Sequence, residues 1–242
     1  MLIRCVKSSS IGGSNGGVRK RVVNAIQPRN PTQEVFLRKL RSKQQDPPYI
    51  IVGHGKAGSG KTACTVGVAV EKLLEKEVRR IVLTRPPVCV ESQDMGFLPG
   101  ALEKKMHPWL LPIFDCMLDY ITQNEIDTMI KERVIDIAPL AFMRGRSFND
   151  SFVICDEAQN MTPNQMLMLL TRLGQNSKMV VLGDPEQHDQ GQGSQDNGLT
   201  DLIHRMENYE STLNCEIEQV YFDESSIERH FLIPAILDMY KF

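Results

Sequence analysis

Apolar runs of strand length recur along the chain: Tyr49–Gly53, Ile81–Thr84, Val134–Ala138, Ser151–Cys155 and Lys178–Gly183. Runs without polar alternation suit strands buried on both faces, the habit of parallel sheets. Glu216–Phe222 predicts a further, last strand. Between the runs, apolar positions recur at helical spacing. Gln33–Ser42 carries Val35, Phe36 and Leu40 behind Thr32, which is placed to cap it. Lys61–Lys76 carries Val66, Ala69, Leu73 and Leu74 on one side, and Thr162 with Pro163 opens a Met/Leu-rich helix to Leu173. Ile227–Tyr240 predicts a last helix, interrupted by Pro234. Strands alternating with helices predict an α/β fold, a mostly parallel sheet with helices on both faces. Residues 86–133 break the rhythm: two helices, near Pro108–Thr122 and Gln123–Glu132, read as an insertion between core strands.

Ahead of this pattern lies a Gly/Ser-rich stretch, Ser8–Gly17, followed by Arg19, Lys20 and Arg21. Residues 1–26 read as a flexible tail and 27–242 as one domain. The tail is open to two readings, a solvated leader or a basic arm that touches a polyanion. A length of 242 residues suits one large α/β domain, and with a formal net charge of -2 the whole molecule is no polycation, so any nucleic-acid binding falls to a local basic patch. The six cysteines are scattered, with no C-x-x-C pair, which argues against a zinc ribbon and for a reducing compartment. The N-terminus has no apolar signal core and no run is long enough to span a bilayer, so the expectation is a cytoplasmic protein without membrane contact.

Two segments carry chemistry. Gly55, Lys56, Ala57, Gly58, Ser59, Gly60, Lys61 and Thr62 fit G-x-x-x-x-G-K-[ST] at every position, between a predicted strand and a predicted helix. Glycines let such a loop curl until its backbone N–H groups face one anion, and the following helix adds its positive end. Lys61 is placed to reach the β- and γ-phosphates of ATP, and the Thr62 hydroxyl to ligate Mg²⁺. The second segment is the apolar strand Ser151–Cys155, which ends in Asp156 and Glu157. In a doubly wound sheet such an end opens onto the ligand crevice. Asp156 suits a metal-holding role and Glu157 that of a general base toward water. The pairing favours hydrolysis over a P-loop kinase, and no N-K-x-D motif points to GTP.

Several segments together resemble the PhoH-like ATPase family, which is related to superfamily 1 helicases and has one RecA-like core. They are Gly55–Thr62, Thr84–Pro86, Gly96–Gly100, Ile137–Arg146, Asn149–Phe152, Asp156–Asn160, Thr171–Gly174 and Lys178–Asp184. The resemblance runs from about Gln27 to the C-terminus. It implies a single RecA-like P-loop NTPase domain that hydrolyses ATP with Mg²⁺ as a helicase-like motor or remodeller. The alternative is a nucleotide-gated interaction module with little turnover. By the same resemblance, Asp184 and Gln187 in Gly183–Gln187 belong to a γ-phosphate-sensing segment. Gln33 is similar to a helicase glutamine that reads the adenine edge; a solvated surface glutamine is the other reading. Arg229 matches an arginine suited to a γ-phosphate finger, against a plain helix-face ion pair. The segment after Asp184 departs from the family pattern at Pro185–Glu186 and Gln190–Asn197.

Helicases of that superfamily use two lobes, and this chain is too short for a second. The expectation is therefore a homo-oligomeric head-to-tail ring, a hexamer, in which Arg229 or Arg172 enters the neighbouring site. Kinship with helicases also implies single-stranded RNA or DNA as a partner, through Arg85, Arg144 and Arg146. For Arg144–Arg146 the competing reading is a turn paired with local acids. Trp109, beside Pro108 and two leucines, reads as core.

Overall fold

The computed structural model describes residues 25–86, 99–187, 197–209 and 216–228, with Leu232 and Met239; within 99–107 it describes the backbone. Six strands form one sheet: β1 (Ile50–Gly55), β2 (Arg80–Thr84), β3 (Ile135–Ile137), β4 (Ser151–Cys155), β5 (Lys178–Gly183) and β6 (Ile217–Phe222). Their order is β3-β2-β4-β5-β1-β6, and every pairing is parallel. Register sets the strand ends side by side: His54 lies opposite Gly183, Gly55 opposite Phe222, and Thr84 opposite Cys155. The loops after β1, β2, β4 and β5 therefore leave one edge of the sheet, where crevices open in doubly wound folds.

Alternate residues of each strand feed two cores. One face carries Ile51, Ile81, Leu83, Phe152, Ile154 and Leu182 under α1 (Pro31–Arg41), α2 (Lys61–Leu74), α3 (Pro99–Met117) and α4 (Gln123–Lys131). The other carries Val52, Val82, Val153, Cys155, Met179 and Val181 against α5 (Pro163–Leu170) and α6 (Gly198–Glu207). Phe36 of α1 meets Phe222 edge to face, ring centroids 5.2 Å apart. Burial on both faces explains why β4 and β5 are apolar almost throughout. The exceptions begin each strand: Ser151 of β4, whose hydroxyl donates to the Asn149 carbonyl, and the fully buried Lys178 of β5, whose ammonium donates to the carbonyls of Asp46 (2.8 Å) and Pro48 (2.7 Å).

Several sequence readings are corrected here. The cap of α1 is Asn30, whose side chain accepts from the Gln33 N–H, with Pro31 rather than Thr32 leading the helix. The two helices expected between core strands are α3 and α4, between β2 and β3, and their Leu110, Ile113, Phe114, Met117 and Ile126 complete the core over the α2 face. Helix α3 also begins at Pro99 and holds Pro108 and Pro112 in its interior. Trp109 is half-buried against that core. Ile26, read as tail, is buried, its N–H donating to Glu71 and its carbonyl accepting from Arg41. Helix α6 went unread, although Asn197 caps it with two accepted bonds and Leu199 and Leu202 recur along it. The predicted C-terminal helix past Glu228 (Leu232 and Met239 apart), the leader before Ala25 and the Gly96–Leu98 segment lie outside the described residues. Among the described residues no helix is long and apolar enough to cross a membrane.

Candidate functional site

The loop after β1 curls because two of its glycines, Gly58 and Gly60, take left-handed backbone angles, and Gly55 at its base has φ +123°. Gly55 has no room for a side chain: a Cβ there would lie 2.1 Å from the carbonyl oxygen of Phe222. Bonds to the carbonyls of Gly55 (2.7 Å) and Lys56 (2.8 Å) and to Ser59 Oγ (3.2 Å) hold the Lys61 ammonium inside the curl. The loop is thus closed around its own lysine, the charge a triphosphate would otherwise draw out. Gln33 packs behind it. It is buried rather than solvated, its Nε2 donating to the Ser59 carbonyl and its Oε1 accepting from the Arg29 N–H, both at 2.9 Å. Both ends of that amide are engaged by protein backbone, and the side chain supports the loop from behind.

Across a cleft of about 290 Å³ stand the acids. Its walls are Ala57–Ala63 of the loop and α2, Cys116 of α3, Asp156 and Glu157 after β4, Gly183 at the end of β5, and Asp184 and Gln187 after it. Strand β5 lies between β1 and β4, so the acids face the loop from one strand further away. Thr62 Oγ1 donates to Asp156 Oδ1 at 3.3 Å. Burial, and then the neighbouring Glu157 charge, push the Asp156 carboxyl up to about 6. A hydroxyl and a buried carboxylate facing a phosphate loop make an all-oxygen donor pair, which suits a hard cation such as Mg²⁺ that keeps water and phosphate as its other ligands.

Glu157 adopts a left-handed backbone with φ +55°. Non-glycine residues hold such angles where the surrounding structure enforces them, a habit of functional sites. Its carboxylate is held at both oxygens: Oε1 lies 3.4 Å from Arg85 Nη2, and Oε2 accepts from Gln159 Nε2 at 2.6 Å. The loop after β5 is tied to the phosphate loop. The Ala57 N–H donates to Asp184 Oδ2 at 3.2 Å, and Lys56 pairs with Glu186. Gln187 is exposed at the cleft rim, its N–H donating to the Asp184 carbonyl at 3.0 Å.

The structure therefore brings Lys61, Thr62, Asp156, Glu157, Asp184 and Gln187 to one cleft, with Gln33 behind its loop wall. The arginines divide. Arg85 points inward, donating to the Trp109 carbonyl (2.7 Å) and flanking Glu157, so it is no free surface cation. Arg146 is paired with Asp136 and lies over the Phe148 ring, as the local-acid reading has it. Arg172 donates to the carbonyls of Met168 and Arg146 and to Thr171 Oγ1. Arg144 is exposed. Arg229 lies outside the described residues; Glu228 before it donates its N–H to the Gly58 carbonyl of the same chain at 2.9 Å.

A sequence model for a family described as PhoH-like protein matches residues 25–241. The chain belongs to the PhoH-like family. A PhoH-like protein of Mycobacterium tuberculosis H37Rv is 42% identical over 195 residues, 81% of this chain and 53% of that protein. A PhoH-like protein of Bacillus subtilis 168 is 39% identical, covering 79% and 58%. Protein PhoH of Escherichia coli K12 is 39% identical, covering 77% and 51%. This PhoH-like chain spans about half the length of the relatives it matches. A solved Sulfolobus solfataricus SWI2/SNF2 ATPase core in complex with dsDNA aligns over 82% of this chain and 46% of its own, at 12% identity and TM-score 0.45. That likeness is too loose to carry function. Parallel sheet, phosphate loop and family together make the chain an α/β P-loop NTPase domain.

The sequence reading includes Gln159 in Asp156–Asn160 without a role of its own; its partners are Glu157, two residues before it, and the Asp184 N–H just after β5.

Proposed function

We propose that this PhoH-like domain hydrolyses ATP with Mg²⁺ and couples the reaction to single-stranded RNA or DNA. The observation that carries the hydrolysis is the convergence, across one cleft, of a phosphate loop, the Thr62–Asp156 oxygen pair and Glu157. Lys61 exchanges its carbonyl partners for phosphate oxygens, and the loop N–H groups hold the remaining charge. Thr62 and Asp156 hold the Mg²⁺, which when bound neutralises charge on the phosphates. Glu157 accepts the proton of the attacking water, and Gln187 at the rim is placed to contact the γ-phosphate side. Phosphate release by wild type against Glu157→Gln tests this. The variant should fall at least about a hundredfold in kcat while binding ATP as before; equal rates remove Glu157 as base.

The alternative, a nucleotide-gated module with little turnover, is favoured by one observation: Glu157 is engaged by Arg85 in this structure. The same rates decide between the two. The nucleic-acid part of the proposal rests on helicase kinship and on exposed Arg144, since Arg85 and Arg146 are engaged within the chain. Stimulation of turnover by single-stranded RNA or DNA supports it, and no response to either removes it. The head-to-tail ring, with Arg229 or Arg172 reaching a neighbour, belongs to the same proposal. Light scattering with and without nucleotide tests it, and a monomer in every condition defeats it.

A further inference from the structure

Glu157, Gln159 and Asp184 form one continuous hydrogen-bonded path from the turn after β4 to the turn after β5, on the side of the cleft that faces the phosphate loop. Gln159 is 1% exposed and sits in the short turn Ala158–Asn160 that follows Glu157. Its Nε2 donates to Glu157 Oε2 at 2.6 Å, and its Oε1 accepts from the Asp184 N–H at 3.2 Å. The Asp184 carbonyl in turn accepts from the Gln187 N–H at 3.0 Å. Two backbone features make the approach possible. The left-handed turn at Glu157 folds the chain back over β5. Gly183 leaves the space, because a Cβ there would lie 2.5 Å from Gln159 Oε1.

The chemistry of the path selects an amide. One end must donate to a carboxylate and the other accept from a backbone N–H, which leucine cannot do at either end. Glutamate keeps the acceptor but sets a second negative charge against Glu157. Without Gln159, the Glu157 carboxylate keeps only Arg85 as a described side-chain partner, on the side of α3.

We propose that Gln159 is a positioning residue that ties the orientation of the Glu157 carboxylate to the turn carrying Asp184 and Gln187. The state of the γ-phosphate side of the cleft thereby sets Glu157 for proton acceptance. The inference rests on Glu157 serving as the base. Gln159 does not line the cleft, so its loss should spare nucleotide binding and reduce turnover.

The test compares steady-state ATP hydrolysis and fluorescent-nucleotide affinity for wild type, Gln159→Leu, Gln187→Ala and the double variant. Gln159→Leu should lower kcat roughly ten- to a hundredfold, the usual effect of removing an outer partner of a reacting group, with affinity within about threefold. A merely structural role would lower the melting temperature without that split. In the double variant the loss should stay close to that of the more damaging single change: Gln187→Ala keeps the N–H bond to the Asp184 carbonyl but removes the side-chain contact to the γ-phosphate whose effect Gln159 would pass to Glu157. Turnover of Gln159→Leu at the wild-type rate, with Glu157→Gln inactive, overturns this inference and leaves the proposed function standing. Losses that multiply in the double variant overturn the tie to the Gln187 turn. If Gln159→Leu fails to fold, Gln159→Glu, which keeps size and the Asp184 bond, must still lose turnover; a wild-type rate there overturns the inference as well. A wild type that does not hydrolyse ATP removes both readings.

Discussion

The phosphate loop and the acidic wall face each other across one cleft but are built from different materials. The loop is a backbone device: left-handed glycines, N–H groups and a helix start, with Lys61 as its one essential charge. The acidic wall is a side-chain device, in which Thr62, Arg85, Gln159 and the turn after β5 hold Asp156 and Glu157. A backbone device tolerates no added Cβ but is indifferent to most distant changes. A side-chain device tolerates substitution of shape while its function depends on partners far away in sequence.

The largest expected effect comes from adding one carbon to the loop. Gly55→Ala combines φ +123° with a Cβ 2.1 Å from the Phe222 carbonyl oxygen. It should cost about 4 kcal/mol in urea unfolding and abolish ATP binding; a near-wild-type midpoint would erase the contrast. Next is Lys61→Ala, which leaves the curl but removes its charge. ATP affinity should fall about a hundredfold by calorimetry, with a smaller loss of stability of about 1–3 kcal/mol from the carbonyls that lose their donor, and unchanged affinity would sink the whole account of the site.

The acidic wall should behave in the opposite sense. The Asp156 carboxyl is raised from 3.8 to about 6, so the folded state holds the proton more tightly than the unfolded chain. The charge therefore costs stability above pH 6, and that cost fades as the pH falls toward the unfolded value. Asp156→Asn should stabilise the nucleotide-free protein by about 3 kcal/mol at pH 7 and by little near pH 4, while Mg²⁺-dependent turnover is lost. Equal unfolding midpoints for variant and wild type at pH 7 would show that the buried charge is not strained. The smallest effect concerns the periphery. Arg144→Ala should reduce the salt dependence of single-strand binding by about one unit of slope, whereas Arg146→Ala should act on stability through its Asp136 pair. A slope change for Arg146 alone would reverse that division.

How much of this was legible follows the same contrast. The phosphate loop was readable residue by residue, because its function is local: each glycine answers a backbone angle within the same eight residues. The ends of β4 and β5 were readable too, since burial on both faces leaves a continuous apolar run. The α1 cap was misassigned to Thr32 because Asn30 and Thr32 are both good caps, and only the Asn30 bond to the Gln33 N–H decides between them. Gln33 was weighed as adenine reader or surface residue, whereas its bond to the Ser59 carbonyl joins segments 26 residues apart.

By itself the sequence determined the α/β alternation, the phosphate loop and the acidic pair, because hydrophobic period and glycine placement act over a few residues. Only the tertiary structure decided that β5 lies between β1 and β4, that Arg85 turns inward to Glu157, and that Gln159 reaches the Asp184 N–H. These depend on strand order and on contacts between residues distant in the chain. No local pattern encodes them, since the same side chains in another sheet order would meet different partners.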